Sequence, residues 1–266
     1  MLRCATTGKA FLLVPADTMK PNWREEKGRN RACRECIVKN RLSSTGPQAA
    51  SSKLDKERLK DYIGYMKTET ALKIIGGSLS KPSKMPGWSI GLPAKECKTG
   101  GKLQAVKGSV CYDCYALKGC YVFKVVQDAQ YRRLAALKSP DWVQAMAHLI
   151  NSKKPDVFRW HDSGDVQDPE HLHKIYAVCR QTPDKRHWLP TREAWIKNYL
   201  YYKPTNLVIR FSAPMVNQRA PESWPNSSMV VDKGFHTCPA PAQDNECRDC
   251  RQCWDPAVKV VSYGKH

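Results

Sequence analysis

Apolar and polar positions after residue 85 follow an order that predicts strands separated by helices. Short apolar runs at residues 157–161, 187–190 and 207–211 are typical of buried strands, with longer periodic stretches between them. Shorter strands are predicted at residues 88–92, 229–231 and 258–261. Strands that alternate with helices pair in parallel, because each return to the sheet needs a crossover connection. We therefore predict an α/β fold, a partial (β/α) barrel with mostly parallel strands.

The helical predictions rest on end signals as well as on periodicity. Asp168 is a suitable N-cap for a helix over residues 169–180, and Ser139 followed by Pro140 opens another that extends to about residue 151. Other helices are predicted at residues 53–75, 121–138 and 192–201. The first of these should end at a Gly-Gly pair, since glycine is the common residue after a helix.

The same pattern divides the chain into four segments. They are a basic, flexible arm at residues 1–52, a helical lead-in at 53–84, an α/β domain at 85–232 and a cysteine-rich, metal-binding segment at 233–266. The arm contains Cys33 and Cys36, which are either part of a further metal site or two exposed thiols. With no run of about 18 apolar residues and no export signal, we expect a soluble, cytoplasmic protein.

The charge balance adds a partner to this picture. The chain has 44 Lys and Arg residues against 25 Asp and Glu residues, which gives a formal net charge of +19. An excess of this kind is typical of proteins that bind a polyanion such as nucleic acid. Hydrophobic residues make up 41% of the chain, enough to bury a core, so we expect this charge on the surface of a folded domain.

Four cysteines near the C-terminus have the spacing of a metal site. The pattern is C-x8-C-x2-C-x2-C, formed by Cys238, Cys247, Cys250 and Cys253. Spacings of two residues let successive thiolates face one centre, and four thiolates suit either a tetrahedral zinc ion or an iron–sulfur cluster. The alternative is four buried cysteines without a ligand. Twelve cysteines in a chain without an export signal favour metal binding over disulfide bonds.

A second cysteine group lies in the first part of the α/β domain. Cys97, Cys111 and Cys114 form the pattern C-x13-C-x2-C, and Cys120 follows soon afterwards. Three ligands leave one coordination position open, as a catalytic cluster requires, whereas a fourth ligand from Cys120 would close the site. Both arrangements are compatible with the spacing.

Polar residues follow three predicted strands directly. They are Asp162, Ser163, Gly164 and Asp165 after the first, Arg192 and Glu193 after the second, and Ser212 after the third. Parallel sheets and barrels place their sites at the carboxyl ends of strands, so we expect these residues to meet. We interpret Asp162, Asp165 and Glu193 as catalytic, and the others together with Asp165 as cofactor-binding. The alternative is that they only form turns and helix caps.

Several longer motifs resemble one family. They occupy residues 84–94, 108–119, 158–165, 188–193 and 236–240, and they include the runs KMPGWSIGLPA, GSVCYDCYALKG, FRWHDSGD, WLPTRE and HTCPA. In this order they resemble the bacteriophage gene-product-88 family over roughly residues 84–255. The Cys-Tyr-Ala loop is also similar to the cluster loop of radical S-adenosylmethionine (SAM) enzymes, although the first cysteine gap is longer here.

The resemblance implies a phage-encoded iron–sulfur protein in the infected cell. By analogy, Cys97, Cys111 and Cys114 would hold a [4Fe–4S] cluster whose fourth iron binds SAM. The Ser163-Gly164-Asp165 turn would then hold the methionyl ammonium group, and the four C-terminal cysteines would hold a second cluster.

Two classes of function follow from these observations. The first is a radical-SAM-like enzyme that modifies a nucleotide or nucleic acid. The alternative is a zinc-binding, nucleic-acid-binding protein without catalysis, in which both cysteine groups are structural and residues 20–41 contact phosphates. A factor that binds a partner protein is a third possibility. The strand-end acidic residues favour the enzyme, because a structural zinc protein leaves them without a role.

Overall fold

The structure, a computed structural model, describes residues 2–3, 10–11, 66–234 and 236–265. The chain divides into two units, residues 1–48 and 49–266. In the first unit, strand β1 (Leu2–Arg3) pairs antiparallel with β2 (Ala10–Phe11). Most of the predicted basic arm, including its cysteine pair, lies outside the described residues, as does the first part of the predicted helix over residues 53–75.

Six parallel strands form the sheet of the second unit. They are β3 (Trp88–Ile90), β4 (Val157–Trp160), β5 (Arg186–Thr191), β6 (Leu207–Ser212), β7 (Ser227–Val231) and β8 (Val260–Gly264). Their order across the sheet equals their order along the chain, and every neighbouring pair is parallel. The α/β class and the parallel pairing are confirmed. The sheet is open, with β3 and β8 at its edges, so closure towards a barrel stays a prediction.

This strand order decides where the site can form. Each crossover moves one strand further in the same direction, and right-handed crossovers of this kind place their helices on one face of the sheet. The opposite face is then free to pack against something else. All six strands also end at the same edge, which brings together the five loops that follow β3 to β7.

Five α-helices accompany the sheet in the described part of the chain. They are α1 (Thr68–Ile74), α2 (Lys98–Leu103), α3 (Lys124–Ala136), α4 (Trp142–Asn151) and α5 (Pro169–Gln181). Short 3-10 helices occur at Ala94–Glu96, Tyr115–Leu117, Gly119–Val122, Ala194–Tyr202, Ala240–Ala242 and Gln252–Trp254. Of the helices described, none has both the length and the apolar character needed to cross a membrane.

Local end signals predict some helix boundaries and miss others. The carboxylate of Asp168 accepts a hydrogen bond from the backbone N–H of His171 at 2.8 Å, which confirms the predicted N-cap of α5. The prediction for Ser139 is wrong, because α4 begins at Trp142 with Asp141 as its N-cap. The Ser139 hydroxyl instead accepts from the Asp141 N–H at 3.3 Å, so this side chain stabilises the turn before α4.

The end of α1 requires glycine for two reasons. The Gly77 N–H donates to the Leu72 carbonyl at 2.8 Å, which closes the last turn as the Gly-Gly pair predicts. Gly76 has a φ of +81°, and a Cβ there would lie 2.6 Å from the backbone carbonyl of Arg132 in α3. A larger residue at this position would therefore separate two helices as well as strain the turn.

The two faces of the sheet have different neighbours. Phe158 and Trp160 of β4 pack with α1, α4 and α5 in the main hydrophobic core. The alternate positions face the other side, where Val157 and Trp188 pack against Trp254 in a smaller cluster. The Trp254 indole N–H also donates to the Phe158 carbonyl at 2.9 Å. The cysteine-rich C-terminal segment therefore covers the face that the helices leave free.

Arg210 of β6 anchors this segment to the sheet. Its guanidinium is fully buried and donates to the carbonyls of Gln252 at 2.6 Å, Asp255 at 2.8 Å and Val258 at 2.8 Å, while its Nε donates to Cys253 at 3.0 Å. Hydrogen bonds from a charged donor are stronger than neutral ones, and buried carbonyls without a donor are costly.

We predict that Arg210→Ala lowers the free energy of unfolding by about 3 kcal/mol or more, since several buried carbonyls lose their donor. Arg210→Lys should lose less, because it keeps the charge. Arg186→Ala is the matched control: it breaks an exposed ion pair with Asp156, a pair type worth at most about 1 kcal/mol. Urea unfolding followed by circular dichroism gives the comparison, and equal losses for Arg210→Ala and Arg186→Ala would contradict the anchoring role.

Candidate functional site

Loops from four neighbouring strands meet at the carboxyl edge of the sheet. The Leu92 N–H, after β3, donates to the Ser163 carbonyl, after β4, at 2.8 Å. The Arg192 guanidinium, after β5, donates to the carbonyls of Ser212 at 3.0 Å and Ala213 at 2.6 Å at the end of β6. The strand-end residues that the sequence singles out are therefore brought together, as the parallel order requires.

Asp165 joins the loop after β4 to the loop after β5. Its Oδ1 accepts from the Thr191 hydroxyl and the Val166 N–H, each at 2.7 Å, and its Oδ2 accepts from the Arg192 N–H at 2.8 Å. Burial raises the pKa of this carboxyl to about 6, and the three hydrogen bonds oppose the shift. Both oxygens are thus occupied by the protein itself, which is the arrangement of a residue that positions loops.

Glu193 connects the loop after β5 to helix α2. Its Oε1 accepts from the Thr99 N–H at 2.9 Å, and its Oε2 accepts from the Thr99 hydroxyl at 2.9 Å and the Trp195 indole N–H at 3.0 Å. The carboxylate is buried and binds the N-terminal turn of α2, where backbone N–H groups have no partner within the helix. Because Cys97 directly precedes α2, Glu193 also determines where that thiol lies.

Cys97, Cys111 and Cys114, which we name the edge cysteines, come together beside this junction. Cys97 is the extended residue before α2, and the Cys114 N–H donates to the Cys111 carbonyl at 3.3 Å to close a turn. A Cβ at Gly100 of α2 would lie 3.5 Å from the Cys111 Sγ and 3.8 Å from the Cys97 Sγ. Two thiols therefore share the space that glycine leaves on one side of α2.

The electrostatics of the edge cysteines also show how close they are. Burial raises the pKa of the Cys97 thiol, and Asp165, Cys114 and Cys111 would raise it further through their negative charge. Burial likewise raises the pKa of Cys111, but the nearby guanidinium of Arg192 opposes that shift. The shifts favour the protonated form of Cys97 and Cys111, so binding a metal centre to these two thiols would release protons.

Cys120 is placed differently from the edge cysteines. It lies exposed on the 3-10 helix Gly119–Val122 and is not among the groups that shift the pKa of Cys97 or Cys111. Its charge acts on the neighbouring Tyr121 instead. This placement favours three edge ligands over four.

Cys238, Cys247, Cys250 and Cys253, which we name the C-terminal cysteines, line one small cavity of about 20 Å³. The Cys250 N–H donates to the Cys247 carbonyl at 2.8 Å within a tight turn. The Cys238 N–H donates to the backbone carbonyl of Ser262 in β8 at 3.0 Å, and the Cys247 N–H donates to the backbone carbonyl of Lys84 at 2.9 Å. Three of the four residues, Cys238, Cys247 and Cys250, are therefore fixed by backbone hydrogen bonds.

The size of the cavity between the C-terminal cysteines limits the kind of metal centre that it can hold. Among the residues that the structure describes, no group of three or more His, Cys, Asp or Glu side chains is arranged to hold a metal ion. Thiolates are nevertheless the donors that zinc and iron–sulfur clusters use. A cavity of about 20 Å³ between the C-terminal cysteines holds roughly one water-sized particle. A single ion matches this space, whereas a four-iron cluster would require the side chains to move apart.

The loop after β4 contains buried polar atoms without a protein partner. They are both ring nitrogens of His161, the Oδ1 of Asp162 and the Oγ of Ser163. His161 has a φ of +55°, a rare conformation for a residue other than glycine that is often found at functional sites. Burial and the neighbouring His171 lower the pKa of His161 well below its usual value, so this ring is neutral. Unpaired buried polar groups are uncommon, and a bound ligand would satisfy them.

Gly164 is required where the sequence places it in this loop. Its φ is +81°, and a Cβ would lie 2.7 Å from the Cβ of Leu92. Gly91 has a similar role, since a Cβ there would lie 2.5 Å from the Asp162 Oδ1. The loops after β3 and β4 therefore touch through glycine, which leaves the Asp162 and Ser163 side chains at the contact.

Arg159 of β4 is a site residue that sequence reasoning missed. It donates to the Tyr115 hydroxyl at 3.1 Å and lies over the Trp188 ring at 4.8 Å, and Tyr115 in turn donates to the Asp162 carbonyl at 2.6 Å. Burial raises the pKa of Cys253, and the positive charge of Arg159 opposes that rise. Arg159 thus contacts the edge loop and acts on the C-terminal cysteines. The signal for it was an arginine inside an apolar strand.

Comparison with known proteins identifies one family. A family model described as gene product 88 matches residues 64–256, more than half of the chain. No curated protein and no solved structure matches the chain. The matched region contains the edge cysteines, the loops after β4 and β5, and all four C-terminal cysteines.

We predict that Glu193→Gln lowers the free energy of unfolding by about 1–3 kcal/mol, because an amide group would turn an N–H towards a donor on Thr99 or Trp195. The exchange of the Thr99 amide hydrogen should accelerate in the same variant. Glu96→Gln is the matched control, an exposed carboxylate whose change should stay within about 0.5 kcal/mol. Unchanged exchange at Thr99 would show that Glu193 does not hold the start of α2.

Proposed function

The chain belongs to the gene product 88 family, and we propose, from the geometry of the matched region, that it is an iron–sulfur protein that binds SAM. The observation that carries the proposal is the placement of the edge cysteines. Three thiols from two segments lie together at the carboxyl edge of a parallel sheet, next to a loop with unpartnered polar atoms. A site of this kind has both metal ligands and free groups for a second ligand.

Three thiolates from the edge cysteines would hold a [4Fe–4S] cluster and leave one iron open. Gly100 supports this, because any side chain there would occupy part of the space beside the Cys97 and Cys111 thiols. The exposed Cys120 leaves the fourth position without a protein ligand. When bound, such a cluster and SAM together supply one-electron radical chemistry.

The protein's own residues support this site in distinct ways. Arg192 places a guanidinium near Cys111, where it favours the thiolate form that a metal needs. Glu193 holds the helix start next to Cys97, and Asp165 holds the loops after β4 and β5 together. We therefore assign positioning roles to Asp165 and Glu193 in place of direct catalysis.

The loop after β4 would hold the amino acid part of SAM. The Oδ1 of Asp162 and the Oγ of Ser163 are buried and lack protein partners, and both accept hydrogen bonds from an ammonium group. Asp165 is less suited to this contact because its oxygens already accept three hydrogen bonds. The neutral His161 ring, also unpartnered, would supply one further donor or acceptor to the ligand.

The C-terminal cysteines support a second, closed metal centre. Four thiols around a space of about 20 Å³ suit one zinc ion better than a second cluster. This centre would stabilise the segment that Arg210 anchors to the sheet. If both cysteine groups held zinc, the protein would be a nucleic-acid-binding protein without catalysis, which is the alternative function. In either case the charge of +19 supports a nucleotide or nucleic acid as the partner.

Electron paramagnetic resonance of the reduced, anaerobically purified protein tests the proposal. We expect a cluster signal that changes when SAM is added. Cys114→Ser should lose most of this signal, whereas Cys120→Ser, the matched control, should keep it. SAM cleavage under reducing conditions should follow the same order. A folded protein without a cluster signal, or equal losses in both variants, would contradict the assignment.

A further inference from the structure

A cleft of about 370 Å³ lies beside the edge cysteines, and neither the metal sites nor the SAM loop account for it. It is formed by the segment before Cys97, by residues 116–122 and by one side of α3. Its lining combines apolar, aromatic and polar side chains, among them Ala94, Leu117, Tyr121, Gln130 and Tyr131. The volume lies within the range of small-molecule sites.

Gln130 of α3 indicates what the cleft could hold. It is only 5% exposed and lines the cleft, yet within the described residues its side chain makes no hydrogen bond. Its amide atoms are not among the fully buried polar atoms that lack a partner, so they reach the interior of the cleft and are open to a ligand. An amide offers a donor and an acceptor side by side, which is the pattern that glutamine uses to bind the edge of a nucleobase.

Exposed aromatic rings lie on or next to the chain segments that form the cleft. Tyr112, Tyr115, Phe123 and Tyr131, which we name the aromatic rim, are each exposed by more than 40%, with Phe123 at 60%. All four lie within 20 residues of sequence that run from the edge cysteine turn into α3. Exposed rings of this kind are stacking platforms for the bases of single-stranded nucleic acids.

The charges around the aromatic rim are predominantly positive. Residues 95–132 include seven exposed Lys and Arg side chains against three acidic ones. Asp113 and Asp128 pair with lysines at 2.8 Å and 2.7 Å, and Glu96 accepts from the Tyr131 hydroxyl at 3.1 Å. Four lysines have no acidic partner among the described residues, namely Lys95, Lys98, Lys102 and Lys107. A negatively charged backbone would complement this surface.

We infer that this surface binds a single strand of nucleic acid and that the cleft accepts one unstacked base against Gln130. The bases would stack on the aromatic rim, and the free lysines would contact phosphates. The choice of nucleic acid as substrate rests on the proposed function, but the binding itself uses none of the metal ligands. The inference places the base beside the edge cysteines, where the proposed chemistry would act on it.

Fluorescence anisotropy with a labelled, single-stranded DNA of about 12 nucleotides tests the aromatic rim in the full chain. We expect Tyr112→Ala and Phe123→Ala each to weaken binding about tenfold. The matched control is Tyr201→Ala, which removes a ring that is 91% exposed. Tyr201 lies near the end of α5, because Arg180 of α5 donates to the carbonyl of the adjacent Tyr202. Helix α5 starts at the carboxyl edge and returns to the opposite edge, so this control lies far from the rim. Equal weakening by all three variants would overturn the inference.

A strand with one 2-aminopurine tests the cleft. Its fluorescence should rise when the base leaves the stack and enters the cleft of the wild-type protein. Gln130→Leu, which keeps the shape of the side chain without its hydrogen bonds, should abolish most of this rise while unfolding at an unchanged temperature. The same response in both proteins would overturn the role of the cleft. Preference for duplex DNA or for anionic phospholipid vesicles over the single strand would overturn the choice of partner.

The outcomes separate this inference from the proposed function. Strand binding by a wild-type protein that shows no cluster signal and cleaves no SAM would contradict the cluster proposal and leave the surface inference intact. SAM cleavage by the wild-type protein, together with normal strand binding by the aromatic rim variants, would overturn the surface inference and leave the cluster proposal intact.

Discussion

The buried carboxylate of Asp165 is the contact on which the arrangement of the site depends. It ties the loop after β4 to the loop after β5 through three hydrogen bonds, and the residues that it fixes have further partners. The Arg192 guanidinium donates to the Ser212 carbonyl at the end of β6, and the Glu193 carboxylate accepts from the Thr99 N–H at the start of α2. The ends of three strands, β4, β5 and β6, and the Cys97 segment that follows β3 are thereby connected by two carboxylates and one guanidinium. A buried network of this kind is stable only when each member keeps its partners.

Two arginines within apolar strands extend this organisation to the other face of the sheet. Arg210 fixes the C-terminal segment through its carbonyl groups, and Arg159 reaches the edge loop through Tyr115. The two cysteine groups are therefore held against one sheet, although Cys114 and Cys238 are 124 positions apart. The α-helices of the described residues pack on one face, which is the physical reason that the cysteine-rich C-terminal segment can pack directly on the strands.

The sequence predicted the features that depend on local pattern. Alternating apolar runs identified the six strands, the Asp168 cap was correct, and the strand-end polar residues do meet at one edge. Local competition caused the errors. Asp141 caps α4 where Ser139 was expected, and residues 194–202 form a 3-10 helix where an α-helix was predicted.

Partners distant in sequence were beyond prediction. Glu193 and Thr99 are 94 positions apart, and Arg210 binds carbonyls more than 40 positions away. A single sequence identifies such residues as charged or polar but does not say which atoms they bind. For the same reason, the sequence marks Asp165 and Glu193 as candidate catalytic residues, and only the structure shows which protein donors their oxygens bind. Gln130 gave no signal, because a glutamine on a helix is usually exposed.

Quantitative iron, sulfide and zinc analysis of the anaerobically purified protein would show which metal each cysteine group holds. We expect about four irons with matching sulfide per chain, together with about one zinc ion. Replacing Cys97 and Cys111 by serine should remove the iron and leave the zinc. Zinc alone in the wild-type protein, or iron that persists after that replacement, would contradict a cluster at the carboxyl edge.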